Sequence, residues 1–189
     1  MKIKDLPIGS IVYDDLSIWD FRNGDNYAEG TTFKKEPVRW IVYKHGHFSG
    51  NSTLLLSEEL VANKRFNSSN YNNPWRTMEI RQWLRDIFWS HFTDRFKECV
   101  VECTTITRGE INADETVFLL SVPELGTATS SLTGLTGDHG ETIDTFTTNE
   151  DRIAKLNGNA IEYWTRSPYS NLNYYVALIR DNGAAYVTN

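Results

Sequence analysis

The chain of 189 residues predicts a soluble, single α+β domain, spanning 1–189 and built on antiparallel strands. Three observations carry that expectation. Short β-branched and aromatic runs lie toward both ends of the chain. One strongly amphipathic helix lies between them. Asp181-Asn182-Gly183 then joins the last two runs in the manner of a tight hairpin.

Taken in order, Ile8 to Tyr13 reads as a strand after Pro7, and residues 20–32 are polar and Gly-rich, which is loop composition. Val38-Arg39-Trp40-Ile41-Val42-Tyr43 is a second strand. His45 to Asn51 supplies turn residues and Thr53-Leu54-Leu55-Leu56 returns, so 38–57 forms a hairpin. Residues 77–90 form the helix: Ile80, Trp83, Leu84, Ile87 and Phe88 recur at i, i+3, i+4, i+7 and i+8 as one apolar stripe, with Thr77 as its N-cap. A shorter helix starts at Thr93, and Val101 to Thr107 is extended.

Val117-Phe118-Leu119-Leu120 reads as a buried strand, and Ser121 with Glu124 has capping-box spacing. Residues 126–148, rich in Thr, Ser and Gly, form a long polar loop of the kind that often carries function. Thr147 and Glu150 repeat the capping-box spacing at the start of a short helix that Gly158 ends. Strands then cover 162–166, 174–179 and 184–187.

Composition narrows the function. Six Trp, nine Tyr and nine Phe are the compositional anomaly: some fill the core, but Tyr and Trp also make effective contact surfaces. A net charge of −6 argues against a nucleic-acid partner, which needs a basic face. No run approaches the roughly 18 apolar residues of a membrane span, so no membrane insertion is expected. The N-terminus lacks the apolar segment of a signal peptide, which implies synthesis in the cytoplasm.

Cys99 and Cys103 are too few for a disulfide scaffold and are expected as free thiols. His45, His47, His91 and His139 show no ligand spacing and read as solvated. Asp20, Asn23, Asp25 and Asn26 read as a plain polar loop, so neither a metal nor another cofactor is expected. Nucleophile and phosphate-loop motifs are missing, and the expectation is a protein that binds rather than catalyses.

Four blocks carry a family likeness: Pro37 to Val42 with the return strand ending at Ser57; Trp75, Arg81, Trp83 and Leu84; Val117 to Ser121; and Tyr163-Trp164-Thr165-Arg166-Ser167-Pro168 with the Asn/Tyr-rich segment and Gly hairpin after it. In this order they resemble a domain-of-unknown-function family (DUF6273) of Gram-positive bacteria and their phages. The last block is also similar to the C-terminal part of C-type-lectin-like domains, among them formylglycine-generating-type enzymes and the variable proteins of diversity-generating retroelements.

The resemblance implies a C-type-lectin-like fold, a small twisted antiparallel sheet with flanking helices and long loops. It also implies a non-enzymatic recognition module, a phage or prophage structural or tail-associated protein. Its expected partner is a protein or glycan ligand at a cell or virion surface. Two departures matter. Formylglycine-generating enzymes keep a redox cysteine pair near the C-terminal surface, whereas Cys99 and Cys103 lie mid-chain. Relatives also continue past the Gly hairpin to a further strand, whereas this sequence stops at Asn189, which favours an oligomer or larger assembly. The alternatives are a structural assembly domain whose aromatic surface is a subunit interface, and an enzyme of unrecognised type.

The expected ligand-binding residues are Tyr169, Asn171, Asn173, Tyr174, Tyr175 and Arg180, in a loop of paratope-like composition with the Asp181-Asn182-Gly183 turn nearby. Trp75, Arg81, Trp83, Trp164 and Arg166 are expected to support them from below.

Overall fold

The computed structural model describes residues 2–22, 24–25, 33–68, 75–107, 109–127, 141–168 and 175–188. Among these the fold is mixed, with small antiparallel sheets joined by short helical turns. The first sheet has the order β1-β2-β3, from β1 (Ile11–Asp20), β2 (Lys35–His45) and β3 (Thr53–Ser57). β2 and β3 form the predicted hairpin.

β1 extends well past the predicted run by way of a bulge: the register shifts between Tyr13, opposite Arg39, and Ile18, opposite Pro37. The bulge turns Asp14 and Ser17 inward. Ser17 Oγ donates to Asp14 Oδ2 at 2.5 Å, and the Thr93 amide and hydroxyl donate to the same oxygen at 3.0 and 2.8 Å. Thr93 Oγ1 in turn accepts from the Phe96 amide at 3.2 Å, the N-cap predicted for the short helix α2 (Asp94–Lys97).

The predicted helix over 77–90 is instead a chain of short turns. A 3₁₀ turn (Trp75–Thr77) leads into α1 (Glu79–Trp83), a π turn (Leu84–Phe88) and a second 3₁₀ turn (Trp89–His91). Met78 rather than Thr77 stands at the N-cap of α1, without a side-chain cap. Ile80, Leu84 and Phe88 are buried as expected, but Ile87 is 45% exposed. The i→i+5 bonding of a π turn adds a residue to the turn and swings Ile87 out of the stripe. The buried positions join Trp19, Val38, Trp75 and Met78 in the larger core cluster.

β4 (Cys103–Thr107) is as predicted, and β5 (Glu110–Glu115) pairs with it. β5 was not expected, because Glu, Asn and Asp are poor strand formers; Asp114 sits at φ 62° where the pairing shifts. Residues 117–120 form no strand. Two of their carbonyls go to one residue of the C-terminal sheet: Leu120 O accepts from the Arg166 amide at 3.1 Å and Leu119 O from Arg166 Nη1 at 2.7 Å. Leu120 and Leu125 pack with Leu54, Ile143, Phe146 and Ile179 in a second core cluster.

The Ser121–Glu124 box forms, with the Ser121 amide and hydroxyl on Glu124 Oε2 at 2.7 and 3.0 Å, but it closes a turn rather than opening a helix. Asp151, not Glu150, takes the Thr147 amide and hydroxyl, both at 2.9 Å, beside a single 3₁₀ turn (Glu150–Arg152). Gly158 does not end a helix. With Asn157 it has positive φ in the two-residue turn between β6 (Lys155–Leu156) and β7 (Asn159–Ala160).

The C-terminal sheet has the order β10-β9-β8, from β8 (Tyr163–Pro168), β9 (Val176–Ile179) and β10 (Ala185–Thr188), with the predicted turn before β10. Gly183 there has φ 78°, and a Cβ on it would lie 1.8 Å from the Asn149 carbonyl oxygen, so only glycine fits. Pro168 ends β8 in register with Val176; β8 is an outer strand, where proline is tolerated. Among the described residues no helix is long and apolar enough to cross a membrane.

Candidate functional site

Of the six expected ligand-binding residues, Tyr169, Asn171, Asn173 and Tyr174 lie outside the described residues. The other two do not sit together. Tyr175 is half-buried just before β9, and Arg180 follows β9 at its opposite end, its guanidinium 3.8 Å from the Tyr186 ring centroid. An antiparallel meander alternates its connections. The 169–175 connection therefore leaves from the Pro168–Val176 end, and the 181–183 turn from the Tyr163–Ile179 end. These ends are about 10 Å apart, three strand steps.

Three of the five residues expected to give support, Trp75, Arg81 and Arg166, fall into two buried charge clusters. In the first, Trp75 Nε1 and Arg81 Nε both donate to Glu115 Oε1, at 3.1 and 2.7 Å. In the second, Arg166 Nη1 donates to Glu124 Oε2 at 2.5 Å while His47 Nε2 donates to Oε1 at 3.0 Å. His47 is therefore no solvated turn residue: it is 7% exposed and seated against a carboxylate 77 positions away. Burial alone would push the Glu124 carboxyl up, but the hydrogen bonds from His47, Arg166 and the Ser121 amide outweigh it and hold the group at about 2. At neutral pH Glu124 is an ionised acceptor with no proton to give. Glu115, Glu124 and His47 were not picked out as site residues from sequence. Only the Ser121–Glu124 spacing marked one of them, and it marked a cap.

Cys103 lies half-buried between these clusters, and burial, with Glu115 nearby, pushes its thiol up to about 12. Such a thiol stays protonated and is a poor nucleophile. Cys99 is an exposed free thiol. The buried face of the β4–β5 hairpin also holds Thr105 Oγ1, Thr107 Oγ1, Asn112 Oδ1 and Glu115 Oε2, none with a hydrogen-bond partner among the described residues. Polar atoms of this kind are commonly met by buried water. Among the described residues no group of three or more His, Cys, Asp or Glu side chains is arranged to hold a metal ion.

Trp83 and Trp164 are only half-buried, and both line a cleft of about 790 Å³. Trp40, Leu55, Trp89 and Phe118 share its walls, which also include residues 58–64 and 161–163. Trp164 Nε1 donates to the Lys64 carbonyl at 3.0 Å and so ties β8 to the 58–64 segment. Trp40 Nε1 is buried without an acceptor among the described residues. The volume and the apolar lining are those of a small-ligand site. Trp75, Arg81 and Arg166 do not line the cleft; they hold the elements around it.

Neither the curated proteins nor the solved structures offer a match to the chain. Residues 50–189 match the family described as Domain of unknown function (DUF6273), more than half of the sequence, and the chain belongs to that family.

Proposed function

We propose that the protein is a non-enzymatic recognition module that holds its ligand in the aromatic cleft. The observation that carries this reading is the cleft itself, about 790 Å³ walled by Trp40, Trp83, Trp89 and Trp164. Flat aromatic walls with few polar groups suit the apolar face of a sugar ring or an apolar side chain of a protein ligand. The perturbed groups nearby are committed to structure: Glu124 accepts from three residues, and the Cys103 thiol is held protonated.

Within this reading the fold is C-type-lectin-like, in keeping with a short C-terminal meander and long connections. The 169–175 connection supplies a second contact surface through Tyr169, Asn171, Asn173, Tyr174 and Tyr175, with Arg180 outside it. The setting is a phage or prophage structural or tail-associated protein that meets a cell or virion surface.

A glycan array and a whole-cell binding assay test the proposal. Ala62 is half-buried in the cleft wall, so Ala62→Trp places an indole in the cleft while removing nothing. The wild type is expected to retain a reproducible ligand set that Ala62→Trp loses at unchanged melting temperature. Equal binding by the two proteins contradicts the cleft as the site.

A further inference from the structure

β1 carries its side chains in the inverse of the usual sense. Its buried positions include Asp14 and Ser17, at 8% and 3% exposure. Its exposed positions hold Ile11, Tyr13, Leu16 and Ile18, at 39%, 58%, 72% and 50%, with Ile8 at 48% just before the strand. The buried polar pair has an internal task, since it fixes Thr93 at the start of α2. The apolar strip has none. β1 is also the outer strand of its sheet, with no strand beyond it among the described residues. The strip lies wholly before residue 50, outside the family match.

Single exposed apolar residues are ordinary, but a run of them along an outer strand marks a contact surface. We infer that this strip is the interface of a symmetric dimer and that its occupant is a second copy of this chain. Two features select a second copy. The first is self-complementarity. Ile11 and Ile18, and likewise Tyr13 and Leu16, stand at equal distances in sequence from the midpoint between Asp14 and Asp15. In an antiparallel two-fold contact about that midpoint, the Ile11–Tyr13 half of one copy faces the Leu16–Ile18 half of the other, each pairing occurring twice. The bulge between Tyr13 and Ile18 makes this a side-chain contact rather than a continued hydrogen-bond ladder.

The second feature is size. The strip exposes roughly 500 Å² per copy, or about 1,000 Å² for a pair, which is the lower limit of a specific interface. The dimer is therefore a weak one. Asp14 points inward, so Asp15 is the charge that meets its own copy near the two-fold axis. That repulsion opposes the dimer and is screened by salt.

Sedimentation velocity on the full chain, from about 5 µM to about 500 µM, tests this independently of the cleft. The average mass is expected to rise from 21.7 kDa toward twice that value. Leu16→Asp with Ile18→Asp should weaken association at least about tenfold, since both residues are central to the strip. Asp15→Asn should strengthen it about threefold by removing the like charges. Should the double variant fail to fold, Tyr13→Ser and Asp15→Asn carry the same test at exposed positions. A mass of 21.7 kDa at every concentration overturns the inference and leaves the strip to a different partner. A dimer indifferent to all these substitutions overturns it as well.

Discussion

Arg166 Nη1 lies 2.5 Å from Glu124 Oε2, and neither side chain is exposed to solvent. With His47 on the other carboxylate oxygen, the pair ties the β2–β3 turn, the 121–126 turn and β8 to one point. The guanidinium also holds the Leu119 carbonyl, so one side chain organises a segment that forms no strand of its own.

Breaking that pair should be severe. Arg166→Met removes the charge at similar length and leaves Glu124 buried with His47 as its remaining side-chain partner outside its own turn. A loss of about 3–5 kcal/mol is expected in equilibrium urea denaturation. A loss below about 1 kcal/mol would mean that water or another cation reaches the carboxylate.

The same carboxylate sets an acid limb. Its ordinary value is 4.5 and the fold holds it at about 2. The folded value is the lower one, so this group stabilises the protein above about pH 4.5, and the contribution drains away as the pH falls toward about 2. Urea midpoints taken between about pH 6 and pH 2.5 should fall more steeply for the wild type than for Glu124→Gln. Parallel curves would assign the acid sensitivity elsewhere.

Much of the fold is legible in the sequence, and the exceptions share a cause. The β2–β3 hairpin, the Thr93 cap and the last turn each rest on residues close together in the chain. β5 was missed because Asn112 and Glu115 are chosen for a buried polar face rather than for strand propensity. His47 was misjudged because its partner is 77 residues away, and no local pattern reports that. The stripe on 77–90 identified Ile80, Leu84 and Phe88 but not the π turn that exposes Ile87. Of the residues expected to support the loop, Trp75, Arg81 and Arg166 are buried and paired, whereas Trp83 and Trp164 face a cleft that periodicity could not reveal.

Gly183 offers a local test of how the C-terminal sheet docks. Gly183→Ala places a methyl group where the Asn149 carbonyl stands and demands φ 78° of an alanine. Left-handed backbone alone costs a non-glycine residue on the order of 1–3 kcal/mol, and the overlap adds to it. Thermal unfolding should show a loss of at least about 2 kcal/mol. A variant as stable as the wild type would mean that the hairpin does not pack against Asn149 in solution.

The most direct test of the account is a fluorescence titration with anilinonaphthalene sulfonate, an apolar probe of a size the cleft can hold. The wild type should bind it saturably with about one probe per chain, quenching tryptophan emission, because four of the six tryptophans stand in the cleft wall. Ala62→Trp should abolish that binding while unfolding at the same temperature. Weak, unsaturable binding by the wild type, or equal binding by the filled variant, would contradict the claim that the cleft is a ligand site.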